Sequence, residues 1–522
     1  MREFNTTGLC MPERHYMVDI SDRVVQVRAM IERGDYFCIN RARQFGKTTL
    51  LAALRRALTG VFAVASLDFQ ALSHASFHTE GHFVRAICRM VLRAPDIPAL
   101  PPSPAAEFTA LARESAENLA LNDLFFAIET WCAENSHPVV LLIDEVDSAT
   151  NNQVFLDFLA QLRLQYLRRE EDSSYPAFQS VVLAGVTDVR HLKAKIRPED
   201  QHKVNSPWNI AADFNVRMSF DEADVAGMLA GYEAEHTTGM DVAAVAHEVV
   251  AWTSGYPFLV SRVCQLVDRD GLPWNRKGVD AAIRQILSER NTLFESLTGK
   301  LEAYPQLKAT LRRVLMEGER LPYSTLQDDI AQLEMYGFVA RGQGNQVTVA
   351  NRIFETLLYD LFILEDKLAG SDVYEGGELG RSRFVRSGHL EMREILEGFR
   401  QTYTEVFGPL TERFPEKDGR ELFLLYLKPI INGTGNYYIE AQTRDRTRTD
   451  VIVDYAGERF VIELKVWRGQ SRHEEGEEKL KGYLEHFGFD VGYMLSFNFD
   501  QKKEPGLKRV TIDGKVLWEE TL

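Results

Sequence analysis

The chain has no long apolar run, no paired-cysteine pattern and no surplus of positive charge, and each absence removes a class of function. No uninterrupted apolar stretch approaches the roughly 18–20 residues that a membrane-crossing helix needs, so no membrane partner is expected. Met1 to Cys10 lack the basic start and apolar core of a secretory signal. Five cysteines (Cys10, Cys38, Cys88, Cys132, Cys264) are scattered without ligand spacing. That argues against a disulfide scaffold or a cysteine-based zinc site and for a reduced, cytoplasmic chain. Lys and Arg number 60 against 76 Asp and Glu, a net charge of −16. Global attraction to nucleic acid is therefore missing, and contact with phosphate has to come from local basic patches.

What remains is an ordinary globular composition, 45% apolar and 26% charged. The length suits about three or four domains of roughly 100–200 residues each. From about Val18 to Phe220, apolar runs alternate with amphipathic helical segments. "YFCIN" (36–40), "VFAVASLDF" (61–69), "VVLLID" (139–144) and "VVLAGV" (181–186) predict buried parallel strands. Helices between them imply a sheet covered on both faces. "APDIPALPPSP" (94–104) predicts a proline-rich surface excursion.

Helical pattern dominates from about Asp221 to Asn291. "LKATLRRVL", "STLQDDIAQLEMYGFV", "GQGN" and "QVTVAN" then give helix, helix, turn, strand, the outline of a winged helix. Ser324 with Gln327 forms a candidate capping box for its second helix. Asp328, Asp329 and Glu334 on that helix would repel phosphate, which favours a structural or regulatory module over a groove reader. Periodicity fades over "LAGSDVYEGGELGRSRF" (368–384), where a linker is expected.

Two stretches carry chemistry. "INRARQFGKTTLL" places Gly46-Lys47-Thr48 between a strand and a helix. There, backbone N–H groups and the helix N-terminus can hold phosphate oxygens, Lys47 can reach the outer phosphates and Thr48 can ligate Mg²⁺. The first glycine of the usual G-x-x-x-x-G-K-[ST] pattern is replaced by Arg41. Roughly a hundred residues on, "PVVLLIDEVD" ends a hydrophobic strand in Asp144, a Mg²⁺ partner, and Glu145, a group to orient or deprotonate water. Thr187, in "GVTD" at the next strand's end, is placed to report on the γ-phosphate.

These residues resemble those of AAA-like ATPases of the STAND-related kind, whose loop reads roughly G-P-R-x-x-G-K-T. The resemblance covers about residues 1–365 and assigns Arg43, Gln44, Gly46, Lys47, Thr48 and Thr49 to nucleotide binding. "TSGYPFLVSRVCQ" (253–265) is similar to a Gly-x-Pro segment near the nucleotide, which assigns Gly255 and Pro257. The resemblance also implies a winged helix after the ATPase core, and homo-oligomer assembly. Arg190, Arg197 and Arg217 are open candidates for an arginine finger.

The second stretch is "RTDVIVDYAGERFVIELKVW" (448–467). With Gly457-Glu458 as a two-residue turn, Asp450 faces Lys465 and Ile452 faces Glu463. Alternation then puts Asp450, Glu463 and Lys465 on one face, and Val451, Val453, Tyr455, Ile462, Leu464 and Val466 on the other. Two carboxylates can bind a hard cation, and the lysine can activate water or offset phosphate charge. An isolated E-x-K is more often a surface pair worth under about 1 kcal/mol. Three further features weigh against that: a preceding helix "GRELFLLYLKPIING" with Glu421, a basic approach of Arg444, Arg446 and Arg448, and the element order. Together they resemble the PD-(D/E)XK nuclease superfamily over about residues 390–522. The resemblance implies Glu421 as the helical acid, Asp450 and Glu463 as metal ligands (Mg²⁺ or Mn²⁺), and Lys465 as the catalytic lysine. Tyr483 matches a frequent aromatic, whereas Lys479 stands where many members carry Gln. Trp467, Arg468, Arg472 and His473 are candidates to line a substrate path.

The expectation is thus an α/β protein: a P-loop NTPase core with a parallel sheet (1–220), a helical lid (221–298), a winged-helix module (299–366), a linker (367–390) and a mixed α/β restriction-endonuclease-like domain (391–522). ATP and Mg²⁺ are the expected cofactors, with nucleic acid, DNA first, as partner. Bacterial defence against phage or mobile elements is the setting the resemblance implies. The competing expectation is a non-enzymatic ATP switch whose last domain only binds nucleic acid or a protein.

Overall fold

The structure is a computed structural model. It describes residues 2–93, 100–187, 189, 208–289, 291–316, 319–368, 372–408, 416–431, 435–438, 451–466, 476–478, 480–482, 484–485, 489–499 and 504–522. Two compact units emerge. The first is Met1–Val250 with Ser254–Asp270 and Glu334–Gly337, and the second is Ala251–Thr253 with Gly271–Leu333 and Phe338–Leu522.

In the first unit, β1 (Tyr36–Asn40), β2 (Ala63–Asp68), β3 (Val139–Asp144) and β4 (Ser180–Gly185) form a parallel sheet in the order β1-β4-β3-β2. All four lie within two residues of the predicted runs. Because side chains alternate, Tyr36, Cys38, Ala65 and Leu141 enter one apolar core while Phe37, Ile39, Val64 and Leu142 enter the other. Continuous apolar strands are what a sheet buried on both faces requires. Helices α1 (Lys47–Leu58), α2 (Glu80–Arg93), α3 (Pro102–Arg113), α4 (Leu121–Glu134) and α5 (Gln153–Glu171) connect the strands, and α6 (Glu222–His236), α7 (Val242–Thr253) and α8 (Pro257–Arg269) follow. The proline-rich excursion is corrected in part. Pro101 caps α3 and Pro102 starts it, where a missing N–H costs nothing. Residues 94–99 lie outside the described set.

The second unit begins with helices, including α9 (Pro305–Leu315). After α10 (Asp328–Met335) come the antiparallel pair β5 (Val339–Arg341) and β6 (Val347–Val349), then α11 (Arg352–Leu368). The two helices and the strand in "QVTVAN" are where the sequence suggested, but the second helix ends at Met335 and Val339 begins an additional strand where helix was expected. The capping box is not formed as expected: α10 starts at Asp328, and Ser324 sits in a preceding turn that accepts the Gln327 and Leu326 N–H groups.

The expected linker is corrected too. Asp372–Phe384 forms α12, which packs between α13 (Met392–Phe407) and α14 (Glu416–Ile431). Its glycines serve close packing: a Cβ on Gly377 would fall 2.1 Å from the Tyr426 carbonyl oxygen, and one on Gly376 2.5 Å from Thr402. A six-stranded sheet follows, of β7 (Gly435–Tyr438), β8 (Val451–Tyr455), β9 (Glu458–Val466), β10 (Val491–Phe497), β11 (Gly506–Ile512) and β12 (Lys515–Thr521), in the order β7-β8-β9-β10-β12-β11. β7, β8 and β9 are antiparallel, whereas β9, β10 and β12 run parallel. No described helix is long and apolar enough to cross a membrane.

Candidate functional site

The loop between β1 and α1 opens at the carboxyl edge of the first sheet, where parallel α/β folds bind ligands. Gly46 caps α1 at φ 83°, a left-handed conformation that glycine adopts without strain, and a Cβ there would meet nothing within 4 Å. Gln44 is also left-handed, at φ 56°. Lys47 is buried, and its Nζ donates to the Arg41 and Ala42 carbonyls at 2.9 and 3.0 Å. Burial lowers its affinity for a proton, an effect that Asp147, Glu145 and Asp144 oppose. Thr48 Oγ1 donates to Asp144 Oδ2 at 2.8 Å. Thr49 Oγ1 accepts the Cys10 N–H at 3.2 Å. The segments "GKTT" and "IDEVD" thus meet across β1, β4 and β3.

Asp144 and Glu145 both have their pKa raised by burial. Thr48 and the Glu145 N–H hold Asp144 back from a larger rise, and the negative charge of Asp144 pushes Glu145 further up. Glu145 itself is left-handed, at φ 53°, a conformation that costs about 1 kcal/mol or more in a non-glycine residue and clusters at functional sites. The Arg41 departure has a physical explanation. Its backbone is not at positive φ, and its guanidinium turns to the Val216 carbonyl (3.2 Å) and the Phe214 ring (5.2 Å).

Two contributors escaped the sequence reading. Asp147 accepts the Val186 and Thr187 N–H groups at 2.6 and 2.7 Å, fixing the segment after β4 that carries Thr187. The only signal was a third acid in "DEVD". Tyr256, the variable residue of Gly-x-Pro, donates its hydroxyl to the Arg43 carbonyl and sets its ring edge-on to Phe45 at 4.7 Å. Gly255 and Pro257 position it. Gly255 has φ 71°, and a Cβ there would sit 1.7 Å from the Phe220 carbonyl oxygen, while buried Pro257 begins α8. Gly337 reaches the same loop, since a Cβ on it would lie 2.7 Å from that of Ala42. Of the arginine-finger candidates, Arg217 pairs with Asp221 at 2.8 Å, whereas Arg190 and Arg197 lie outside the described residues.

In the second unit the hairpin forms with a register two residues from the expected one. Tyr455 pairs with Glu458 and Ile452 with Val461, so the turn is Ala456-Gly457. Both turn residues have positive φ, 49° and 89°, the primed geometry whose twist matches the strands. Glu463 and Lys465, two residues apart on β9, share a face, with Lys465 Nζ 3.3 Å from Glu463 Oε1. Val451, Val453, Tyr455, Ile462 and Leu464 are buried on the other.

The face bearing Glu463 is covered as well. Val461, Met494, Leu480, Leu484 and Leu517 form an apolar cluster on it, and Glu463 is 0% exposed while the Lys465 side chain keeps 27%. Glu421 forms an ion pair with Arg312 at 2.5 Å. Asp450, Arg444, Arg446, Arg448, Trp467, Arg468, Arg472, His473, Lys479 and Tyr483 lie outside the described residues. Ser496 and Glu519, which the sequence reading missed, stand on the Lys465 face through the Lys465–Ser496 and Met494–Glu519 registers and are joined by a 2.7 Å hydrogen bond. No group of three potential ligands is arranged around a cation among the described residues.

The sequence model of a family described as an AAA-like domain matches residues 16–360. An uncharacterized WD repeat-containing protein of Synechocystis sp. is 26% identical over 159 residues, 29% of this chain, which spans 12% of that relative's length. Among solved structures, the chain is similar to a Walker-type ATPase of Pyrococcus abyssi (TM-score 0.45, 14% identity, 68% of this chain and 99% of that one). It is also similar to the ORC2 protein of Aeropyrum pernix (0.35, 12%, 70% and 98%) and to Cdc6p of Pyrobaculum aerophilum (0.32, 13%, 69% and 97%).

Proposed function

The chain belongs to the AAA-like domain family, and from that premise we propose that it is an ATP-hydrolysing regulator or motor coupled to a metal-dependent nuclease that cuts DNA. One observation carries the nucleotide half: Thr48 Oγ1 meets Asp144 Oδ2 at 2.8 Å, with Lys47 and Glu145 alongside. A hydroxyl and a carboxylate are the oxygen donors that suit Mg²⁺, which when bound with ATP neutralises phosphate charge. The N–H groups of the loop from Arg43 to Thr49 hold phosphate oxygens. Lys47 exchanges its two loop carbonyls for the outer phosphates. Glu145, whose pKa burial has raised, accepts the proton of the attacking water. Thr187, tethered by Asp147, senses the outer phosphate. The division into ATPase core, lid, winged helix and nuclease-like domain, and assembly into homo-oligomers, belong to the same proposal.

The nuclease half is supported by the topology of an antiparallel hairpin whose second strand gains a parallel neighbour, and by Glu463 and Lys465 sharing a face. The described residues offer one of the two expected metal carboxylates, Glu463. A second reading is favoured by a specific observation: Glu463 is fully buried and Glu421 is paired with Arg312. Under it the last domain is a binding module that an ATP switch controls.

ATPase and Mg²⁺- or Mn²⁺-supplemented DNA cleavage assays on the wild type, Lys47→Ala and Lys465→Ala test both halves. Lys47→Ala loses ATP binding, and Lys465→Ala loses cleavage while binding ATP normally. Equal nicking by all three proteins would remove the nuclease and leave the switch.

A further inference from the structure

A protein with a net charge of −16 carries a helix, α2, whose exposed positions beyond its first residue hold no acid. From His74 to Arg93 the chain has three arginines and a single carboxylate, Glu80, which turns away to accept the Leu121 N–H at 2.9 Å. His82, Arg85, Arg89 and Arg93 follow one another at steps of three, four and four, the spacing of one helical face. His78 and His74 extend the row N-terminally, with neighbouring ring centroids 6.3 and 5.2 Å apart. The opposite face (Phe83, Val84, Ile87, Cys88) is sealed in the core, so the orientation of the row is fixed.

Beside the row lies a cleft of about 510 Å³ between α2 and α3, lined by Arg85, Arg89 and Arg93, with Arg113 and Thr109 across from them. No carboxylate pairs with these four arginines among the described residues, and Arg85 Nε is buried without a hydrogen-bond partner. Four guanidinium groups thus line one cleft without a carboxylate, and Arg89 donates there to the Ala112 carbonyl at 3.4 Å. A polyanion would supply the missing negative charge, and the planar guanidinium fork matches phosphate oxygens bidentately.

We infer that the stripe from His74 to Arg93, with Arg113, is the surface that takes the phosphodiester backbone of a nucleic-acid strand. Charge complementarity argues for a polyanion. The geometry argues for an extended one, since successive arginines four residues apart rise about 6 Å along the helix and give a row of cations rather than one focal point. The inference rests on the reading that nucleic acid is the partner and assigns the place where it is gripped, remote in sequence from the E-x-K strand. Backbone contacts of this kind carry no base information, so recognition here is independent of sequence.

The test is a salt titration of full-length protein against a labelled single strand and its duplex, in EDTA so that nothing is cut. Arg85→Gln, Arg89→Gln and Arg113→Gln, singly and together, weaken binding equally for unrelated sequences. Each reduces the slope of log affinity against log salt by about 0.9 on duplex or about 0.7 on single strand. Arg386→Gln, an exposed arginine elsewhere, leaves the slope unchanged. Wild-type binding whose slope survives all three substitutions overturns the inference while leaving the nucleic-acid partner in place. Displacement by tripolyphosphate as effective as by the strand identifies a compact phosphate ligand, and preference for polyglutamate identifies an acidic peptide; either overturns it. No strand binding at all also overturns it, and the metal-supplemented cleavage assay then decides separately whether the nuclease reading stands.

Discussion

The two sheets treat their carboxylates in opposite ways. In the first, Asp144 and Glu145 stand at the end of β3, partly accessible and next to a lysine. In the second, Glu463, Glu519 and Glu520 lie inside the sheet at 0–3% exposure. A carboxylate at a strand end can exchange its protein partners for a ligand. One within the sheet must be satisfied by neighbours, or be protonated, before any ligand arrives. The contrast leaves the carboxylates at the end of β3 free to exchange partners, while Glu463 has to be uncovered or supported by residues outside the described set before it can serve a metal.

Glu145→Gln should have the strongest consequence at the end of β3. It should lower ATP hydrolysis by about 10²–10⁴-fold while ATP still binds; unchanged turnover would place the base elsewhere. Next is Gly255→Ala, which drives a methyl group into the Phe220 carbonyl at a left-handed position. An expected loss of about 3 kcal/mol or more in denaturant unfolding of the first unit follows from strain plus overpacking; wild-type stability would mean that the segment shifts freely.

The buried glutamates give a pH signature. Burial raises Glu520 from the ordinary 4.5 to about 7, with the Arg400 ion pair at 2.5 Å opposing the rise and Glu397 and Glu519 adding to it. A folded-state pKa above the unfolded one means the contribution to stability is complete below about pH 4.5 and is lost as pH climbs through about 7. The unfolding midpoint should therefore fall over that window, and Glu520→Gln should flatten the fall. A pH dependence identical in the variant would show that Glu520 ionises without cost. The smallest effect is Tyr256→Phe. It removes one hydroxyl bond to the Arg43 carbonyl, worth about 1 kcal/mol, and should raise the Kd for ATP a few-fold without unfolding the chain. An unchanged Kd would make that tyrosine a packing residue only.

The particular elements explain which expectations held. The strands of the first sheet were legible because apolar runs buried on both faces have few alternative explanations. The loop residues were legible because one short segment and one strand end contain them. The 372–384 helix was not, since glycine spacing that looks like a flexible linker is also what close helix packing demands, and only the partners α13 and α14 distinguish the two. The hairpin turn was misplaced by one position because Ala456 adopts positive φ despite its Cβ. Glu463 and Lys465 share a face in either register because residues two apart in a strand always do, whereas Asp450 lies outside the described residues. Tyr256, and Asp147 beyond its being a third acid in "DEVD", were not singled out because neither type nor spacing marks a residue that acts by holding another.

Hydrophobic periodicity and local backbone preference, which are properties of short segments, specified the alternation of strand and helix, the Gly46-Lys47-Thr48 turn into α1 and the shared face of Glu463 and Lys465. Only tertiary structure decided that Thr48 meets Asp144, that Asp147 tethers Thr187, that Glu421 belongs to Arg312 and that Glu463 is sealed. Each of those depends on which surfaces, distant along the chain, are forced together when apolar area leaves water, and burial of that kind has no sequence spacing.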